Sequence, residues 1–252
     1  MNHRPKRSLG QNFLRDQSVV DKIIAAAAIR PGDHVIEIGP GQGALTENLV
    51  EAGAVVTAIE FDSGLAVELQ RSLGHKMSVI EADALAVDLE SLIPNPPVKL
   101  VANLPYNIST PILQRFIDSR DLFSTLVLMF QREVVERITA PPGERDRGYL
   151  SVLTEMAFET EHLFDVPPTA FYPVPKVWSA VVKLRPKERI PFEEKVKVVA
   201  SRAFAQKRKT LSNNLKGTSP NISDVIRDIG LTANCRAEEL SLDEWLRLAA
   251  NL

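Results

Sequence analysis

The tetrapeptide Asn103-Leu104-Pro105-Tyr106 has residue types suited to holding the amino group of a nucleobase. An exocyclic amine on a purine is a weak nucleophile because its lone pair is delocalised into the ring. The Asn103 side-chain oxygen and a backbone carbonyl can accept its two N–H bonds and direct the lone pair at an electrophile, while the Tyr106 ring stacks on the base. All four residues are therefore candidate catalytic residues, although Asn and Pro are also frequent in simple turns.

A glycine-rich segment, Glu37 to Gly43 with the sequence EIGPGQG, follows a short apolar run. Its glycines permit a tight turn and a close backbone approach to a ligand. The third glycine comes two residues after the second, which departs from the dinucleotide-binding fingerprint. The loop has no lysine to hold phosphates, which argues against a P-loop nucleotidase.

Carboxylates end three successive predicted strands: Glu37, Glu60 and Asp83. Glu60 can accept both hydroxyls of a ribose, and Asp83 can accept from an adenine amino group. A surface acid is the alternative for Glu60, and a helix cap is the alternative for Asp83. Together with the glycine loop, the three acids favour an adenosine-containing cofactor over a bare phosphate.

Predicted strands and helices alternate along the first two thirds of the chain, and they position these residues. Strands are predicted at residues 34–38, 54–60, 77–81, 98–102, 126–130 and 177–184, and helices at residues 44–51, 63–73 and 111–119. This alternation predicts βαβ units and an α/β fold with a parallel sheet, whose carboxyl edge would gather the motifs.

A change in composition near residues 186–191 predicts two domains. Residues 1–186 would form the cofactor-binding catalytic domain. Residues 187–252 would form a small all-helical domain, with helices at 192–204, 222–229 and 241–250.

Composition limits the class of protein. The chain has 44% hydrophobic and 25% charged residues, as is usual for a globular protein. We expect a cytoplasmic location, because the single cysteine, Cys235, fits a reducing compartment and no signal peptide or membrane-spanning run is found. The scattered histidines lack ligand spacing, so no metal site is expected.

Charge is distributed unevenly along the chain, whose net charge is −2. Residues 186–252 carry 12 Lys and Arg against 9 Asp and Glu, while the rest is net acidic. Basic residues cluster at Arg4, Lys6, Arg7 and Arg15 and again at Arg202, Lys207, Arg208 and Lys209. Such clusters can bind nucleic acid or can simply be solvated surface.

Six segments together resemble the bacterial small-subunit (16S) ribosomal RNA adenine N6-dimethyltransferases. They are residues 9–14 (LGQNFL), 36–43, 103–106, 131–134 (QREV), 171–177 (FYPVPKV) and 204–211 (FAQKRKTL). The resemblance extends from Lys6 to about Leu215. It implies a Rossmann-like S-adenosylmethionine-dependent methyltransferase domain that dimethylates two adjacent adenosines in the hairpin near the 3′ end of 16S rRNA, during small-subunit biogenesis.

The resemblance also implies roles for individual residues. The implied cofactor contacts are Asn12, Leu14, Gly39, Glu60, Asp83 and Asn103. Phe171 matches an aromatic residue that faces the target base opposite Tyr106, and a core aromatic is the alternative for it. We expect a monomer whose partner is the small ribosomal subunit, with no membrane partner.

The cations Arg202, Lys207, Arg208 and Lys209 are the candidate RNA contacts. Three adjacent cations cannot share one helix face, but they suit a curved phosphate backbone. The family commonly has arginines where Lys207 and Ser212 stand here, so the number of phosphate contacts is left open.

Three other functions share some of these motifs. A methyltransferase of the macrolide-resistance type would act on large-subunit rRNA, but the 171–177 and 204–215 segments favour the small subunit. An assembly protein without catalysis is disfavoured by the intact Asn103–Tyr106 motif and Glu60. A DNA adenine methyltransferase usually needs a larger recognition region.

The basic cluster generates a direct prediction. Replacing Arg208 by Ala should weaken RNA binding and lower the slope of log affinity against log salt by about one, because one phosphate contact is lost. Affinity measured at several salt concentrations checks this, and an unchanged slope would exclude Arg208 from the RNA-binding surface.

Overall fold

The computed structural model describes residues 4–6, 9–93, 95–219 and 221–252 of the chain. Arg7, one of the N-terminal basic residues, lies outside these ranges. Within them, every helix is too short or too polar to cross a bilayer.

The strands form one large sheet and one short ribbon. The strands are β1 (Phe13–Leu14), β2 (His34–Ile38), β3 (Val55–Glu60), β4 (Ser78–Glu81), β5 (Val98–Asn103), β6 (Phe123–Gln131), β7 (Phe158–Val166), β8 (Phe171–Tyr172) and β9 (Ser179–Pro186). Among the described residues the large sheet has the order β4-β3-β2-β5-β6-β9-β7, and β1 pairs with β8. The pairs from β4 through to β6 are parallel, whereas β9 runs antiparallel to β6. The predicted α/β fold is confirmed.

The helices lie between and after these strands along the sequence. They are α1 (Gln17–Ala27), α2 (Ala44–Glu51), α3 (Ser63–Leu73), α4 (Leu89–Leu92), α5 (Ser109–Asp118), α6 (Arg132–Thr139), α7 (Tyr149–Ala157), α8 (Glu193–Ala203), α9 (Leu211–Asn214), α10 (Ile222–Asp228) and α11 (Leu242–Asn251). Side chains fix several helix starts: Asp16 accepts a hydrogen bond from Ser18 N, and Asp62 accepts one from Gly64 N.

The central strands are buried on both faces, as a parallel sheet flanked by helices requires. Leu100 and Val101 of β5 and Leu126 and Leu128 of β6 are fully buried. This continuous apolar core makes the carboxyl edge of the sheet a rigid frame for the residues that follow each strand.

Several elements lie outside the predicted ones: strands β1, β7 and β8 and helices α1, α4, α6, α7 and α9. Helix α1 begins at a side-chain cap and buries Val19, Val20 and Ile23, a helical spacing that the apolar run alone obscured. Strand β7 has mixed burial with polar residues at many positions, so it lacks the alternation that identifies a strand.

The chain divides into two compact units. The first comprises residues 1–135 and 159–186, and the second comprises residues 136–158 and 187–252. The second unit thus contains residues 136–158 in addition to the predicted helical domain 187–252, and the division into a catalytic and an RNA-contacting domain stays a prediction.

Arg147 gives the physical reason for this grouping. Its side chain is about 1% exposed, donates to the Ala140 carbonyl at 2.9 Å and pairs with Glu155 at 2.6 Å. It also donates to the Leu240 carbonyl at 3.1 Å, across 93 residues of chain. A buried charge is stable only when it is paired in this way, and such pairing across the chain leaves no local trace in the sequence.

Candidate active site

A cavity of about 270 Å³ lies at the carboxyl edge of the sheet, in the first unit. Nine of the ten residues predicted for the cofactor and the catalytic motif line it: Asn12, Leu14, Gly39, Glu60, Asp83, Asn103, Leu104, Pro105 and Tyr106. They come from segments that follow β2, β3, β4 and β5, together with the N-terminal segment that includes β1. Parallel strands therefore bring together motifs that are separated by up to 94 residues of sequence.

The glycine loop needs the backbone freedom that only glycine supplies. Gly39 has φ +66° and Gly41 has φ +58°, both in the left-handed region. A Cβ atom on Gly41 would lie 3.0 Å from a ring carbon of Phe13, so the loop has no room for a side chain there. The loop presents its backbone to the cavity, as an adenosine-containing cofactor requires.

Glu60 is a buried carboxylate, not a surface acid. It is about 6% exposed, and its two oxygens accept from Asp62 N at 2.8 Å and from Gly41 N at 3.1 Å. Burial raises the pKa of Glu60, and these two backbone donors oppose the rise. Because each carboxylate oxygen can accept two hydrogen bonds, capacity remains for the hydroxyls of a ribose.

Asp83 has the geometry of a cap and lines the cavity as well. Its Oδ1 accepts from Leu85 N at 2.8 Å, and its side chain is exposed. The cap uses one oxygen, so both alternatives weighed from the sequence are compatible with this structure.

Glu37 lies beneath the glycine loop with its side chain fully buried. Burial raises the pKa of Glu37 to about 8, the Thr46 hydroxyl partly counters this, and the Glu60 carboxylate adds to it. Neither Glu37 Oε2 nor Thr46 Oγ1 makes a well-formed hydrogen bond within the part of the chain that the structure describes. An acceptor left in this state beside the cavity fits a site that awaits a polar or cationic ligand.

Asn103, the last residue of β5, is oriented by the N-terminal segment. Its Nδ2 donates to the Asn12 carbonyl at 3.3 Å, and the Asn12 side chain donates to the Gly10 carbonyl at 3.1 Å. With its nitrogen used in this way, the Asn103 amide has its oxygen Oδ1 available as an acceptor.

Tyr106 is held by a residue that the sequence did not identify. Its hydroxyl lies 2.7 Å from Ser179 Oγ, at the start of β9, and burial raises the pKa of Tyr106. The phenol is therefore neutral and fixed at its polar end, which leaves the ring to serve as a stacking surface.

A second unpredicted group fastens the N-terminal segment. Asp62 accepts from Lys6 Nζ at 3.0 Å, from Gln11 Nε2 at 2.9 Å and from Gly64 N at 3.0 Å. In the sequence, Lys6 is only one of several N-terminal cations. No local pattern reveals this contact, because it joins residues more than 50 positions apart.

Phe171 is the predicted site residue that does not line the cavity. It lies on β8 opposite Leu14 and is about 3% exposed within the hydrophobic core. Its assignment to the target base stays a prediction. The neighbouring Tyr172 is half exposed.

The candidate RNA contacts belong to the second unit. Arg202, Lys207, Arg208 and Lys209 are all exposed, and they lie in α8 and in the segment that joins it to α9. Asn214 holds this segment by donating to the Ala203 carbonyl at 2.7 Å and the Gln206 carbonyl at 3.1 Å. Lys207 Nζ donates to the Arg145 carbonyl at 3.3 Å, so it is partly engaged within the protein.

Cys235 is the buried, free cysteine of the second unit. Burial, with Glu239 and Glu244 adding to it, raises the pKa of Cys235 to about 11, so the thiol is inert at neutral pH. The described ranges hold no cluster of three or more His, Cys, Asp or Glu residues that could bind a metal ion.

The sheet order, the glycine loop and the acidic strand ends define a Rossmann-like methyltransferase fold. Two solved structures share it over nearly the whole chain. A dimethyladenosine transferase from Plasmodium falciparum matches with a TM-score of 0.81 and 29% identity, covering 94% of this chain and 95% of that one. The 23S rRNA methyltransferase ErmE matches with a TM-score of 0.74 and 28% identity, covering 96% and 99%.

Residues 2–252 match the model of one family, ribosomal RNA adenine dimethylase, and the chain belongs to this family. A ribosomal RNA small subunit methyltransferase A from Syntrophotalea carbinolica is 47% identical over 99% of this chain and 97% of its own length. The protein of the same name from Methylococcus capsulatus is 42% identical over 100% of this chain and 99% of its own length.

The buried Glu37 leads to a prediction about stability and pH. A carboxyl group whose folded pKa lies above its unfolded value stabilises the protein below the unfolded pKa, and this contribution is lost as pH rises. With values of 4.5 and about 8, stability should fall across that window in the protein without ligand.

Replacing Glu37 by Gln should remove this part of the pH dependence, so the variant should gain thermal stability relative to the parent between pH 5 and about 9. Thermal midpoints across this range measure it. Glu51→Gln, at the exposed end of α2, serves as the matched control. Parallel pH profiles for the parent and Glu37→Gln would contradict the prediction.

Proposed function

We propose that this chain transfers methyl groups from S-adenosylmethionine to N6 of two adjacent adenosines in the hairpin near the 3′ end of 16S rRNA, during small-subunit assembly in the cytoplasm. The observation that carries the proposal is the orientation of Asn103, which lines the cavity and has its acceptor oxygen available. Membership of the ribosomal RNA adenine dimethylase family supports the same activity. The names of the full-length relatives support the small subunit as substrate.

The cofactor would be held by the residues at the strand ends. Glu60 would accept from the ribose hydroxyls, Asp83 from the adenine amino group, and the backbone at Asn12, Leu14 and Gly39 would line its path. When bound, S-adenosylmethionine supplies a methyl group on a cationic sulfur that is a strong leaving group. The buried carboxyl of Glu37 lies in the same cavity, where a bound cation would favour its charged form.

The target amine would be aligned by the tetrapeptide. Asn103 Oδ1 and a backbone carbonyl of the motif accept the two N–H bonds and turn the nitrogen lone pair toward the cofactor side of the cavity. Tyr106, fixed through Ser179, stacks on the base. In this scheme, catalysis comes from alignment of the target amine and from electrostatic stabilisation of the transition state. No side chain needs to remove a proton before the methyl transfer.

The comparisons and the cavity bear on two of the other functions, a large-subunit rRNA methyltransferase and an assembly protein without catalysis. ErmE, named for 23S rRNA, shares the fold at 28% identity, whereas relatives named for the small subunit reach 47%. This difference supports the small subunit, and the intact cavity and motif support an active enzyme over an assembly protein.

A labelling experiment tests the proposal. The protein is incubated with S-adenosylmethionine labelled in its methyl group and with undermethylated small subunits, large subunits or duplex DNA. We expect label only in the small-subunit RNA. Label only in large-subunit RNA or in DNA would overturn the proposal, and binding to subunits without transfer would favour the assembly protein.

Asn103→Ala should separate amine alignment from cofactor binding. Transfer should fall by about 100-fold or more, because a misplaced amine loses the in-line geometry. Cofactor affinity should fall by less than about tenfold, since only one hydrogen-bonding group is removed.

Single-turnover transfer and calorimetric titration with the cofactor measure the two effects. Asn251→Ala, an exposed asparagine on α11, is the control. A large loss of cofactor affinity in Asn103→Ala would contradict this division of roles.

A further inference from the structure

The loop that joins β8 to β9 exposes an unusual amount of apolar surface. Among the described residues, four of the nine exposed large hydrophobic side chains lie between residues 172 and 178. They are Tyr172, Val174, Val177 and Trp178, which are 50%, 62%, 40% and 45% exposed. Apolar surface concentrated in this way marks an interaction site more often than isolated exposed residues do.

Both aromatic rings of this loop are paired with an arginine. The Arg15 Cζ lies 4.6 Å from the centroid of the Tyr172 ring, and the Arg132 Cζ lies 5.9 Å from that of Trp178. We call the surface formed by Tyr172, Trp178, Arg15 and Arg132 the aromatic shelf.

The shelf is held by backbone hydrogen bonds at both ends. Arg15 N donates to the Ala170 carbonyl at 2.8 Å, and Arg132 N donates to the Trp178 carbonyl at 2.9 Å. Tyr172 also pairs with Phe13 in the β1–β8 ribbon. The backbone that carries these side chains is therefore fixed before any partner binds, which lowers the entropic cost of binding.

Two residues of the shelf neighbour residues that contact or line the cavity. Trp178 precedes Ser179, whose hydroxyl holds Tyr106, and Tyr172 lies opposite Phe13, which lines the cavity. All of these residues belong to the first unit. A chain of nucleotides with one base next to Tyr106 would reach the shelf with its neighbouring nucleotides.

The charges near the shelf suit an anionic partner. Arg15, Arg132 and the exposed Lys176 supply cations, and an oxygen of Asp165 lies 3.9 Å from Arg132. Aromatic rings edged by arginines bind unpaired nucleotides, because the rings stack on bases and the cations contact phosphates. A protein partner would use the apolar surface but would have less need of the paired arginines.

We propose that the aromatic shelf binds the unpaired nucleotides that flank the methylated adenosines, with Tyr172 and Trp178 stacking on bases and Arg15 and Arg132 contacting the backbone. The inference rests on the proposed function, since it takes RNA as the substrate. It adds an RNA-binding surface in the catalytic unit to the cations of the second unit.

Tryptophan fluorescence offers a direct test, because the sequence has two tryptophans and they differ in exposure. Trp178 is 45% exposed and Trp245 is fully buried. A synthetic RNA hairpin with two adjacent adenosines in its loop should quench the fluorescence of the parent protein, and a blunt duplex with the same stem should quench it much less. Trp178→Phe should lose this quenching while keeping nearly the parent affinity for a labelled hairpin.

The energetic test uses Trp178→Ala and Arg15→Gln. Trp178→Ala should bind the hairpin about tenfold more weakly, as expected for one lost base stack, with an unchanged salt slope. Arg15→Gln should weaken binding and reduce the salt slope by about one. On undermethylated small subunits, Trp178→Ala should raise KM and leave kcat near the parent value. Val67→Ala, which removes exposed apolar surface from α3, is the control.

The outcomes separate this inference from the proposed function. If the parent methylates small subunits but Trp178→Ala has the same KM and the hairpin causes no quenching, the shelf is not an RNA surface. Quenching by small-subunit proteins freed of RNA, and not by the hairpin, would assign the shelf to a protein partner and overturn the inference. Absence of transfer by the parent would instead overturn the proposed function.

Discussion

The carboxylate of Glu60 links the two halves of the site. It accepts from Gly41 N in the glycine loop and from Asp62 N at the cap of α3, so one buried group fixes both loops. Asp62 in turn holds Gln11, and the segment that follows places the Asn12 carbonyl against the Asn103 amide. Three hydrogen bonds therefore connect the carboxylate predicted to hold the ribose with the amine-binding asparagine.

Glu60 and Glu37, the two buried acids of the cavity, differ in their hydrogen-bond donors and in their protonation. Glu60 receives two backbone N–H donors, which favour its charged form, whereas Glu37 lacks comparable donors and is held largely neutral by burial. Charging both would place like charges together in a region from which water is largely removed. The protein avoids this cost by satisfying one carboxylate and leaving the other protonated, and a cation bound in the cavity would favour charging of both.

Whether a feature could be predicted from the sequence depended on how far apart in the sequence its interacting residues lie. Strand β2 and helices α2 and α3 have the predicted bounds, and the residues predicted to follow the first strands line one cavity, because periodicity, glycines and caps act locally. The fastening of the N-terminal segment by Asp62, the support of Tyr106 by Ser179 and the grouping of residues 136–158 through Arg147 could not be predicted. Each joins residues that are distant in sequence, and their types carry no signal until the fold brings them together.

The placement of Ser179 has a consequence for how RNA must be held. In the sheet, β6 separates β5 from β9, and Gln131 at the end of β6 pairs with Ser179 at the start of β9. Tyr106 follows β5 and Trp178 precedes β9, so both are fixed to strands of one hydrogen-bonded sheet that only β6 separates. A surface in the other unit can add affinity for the phosphate backbone, but aligning one amino group requires contacts fixed to the same frame as Asn103. For this reason we expect the nucleotides next to the adenosine to be held by the catalytic unit itself.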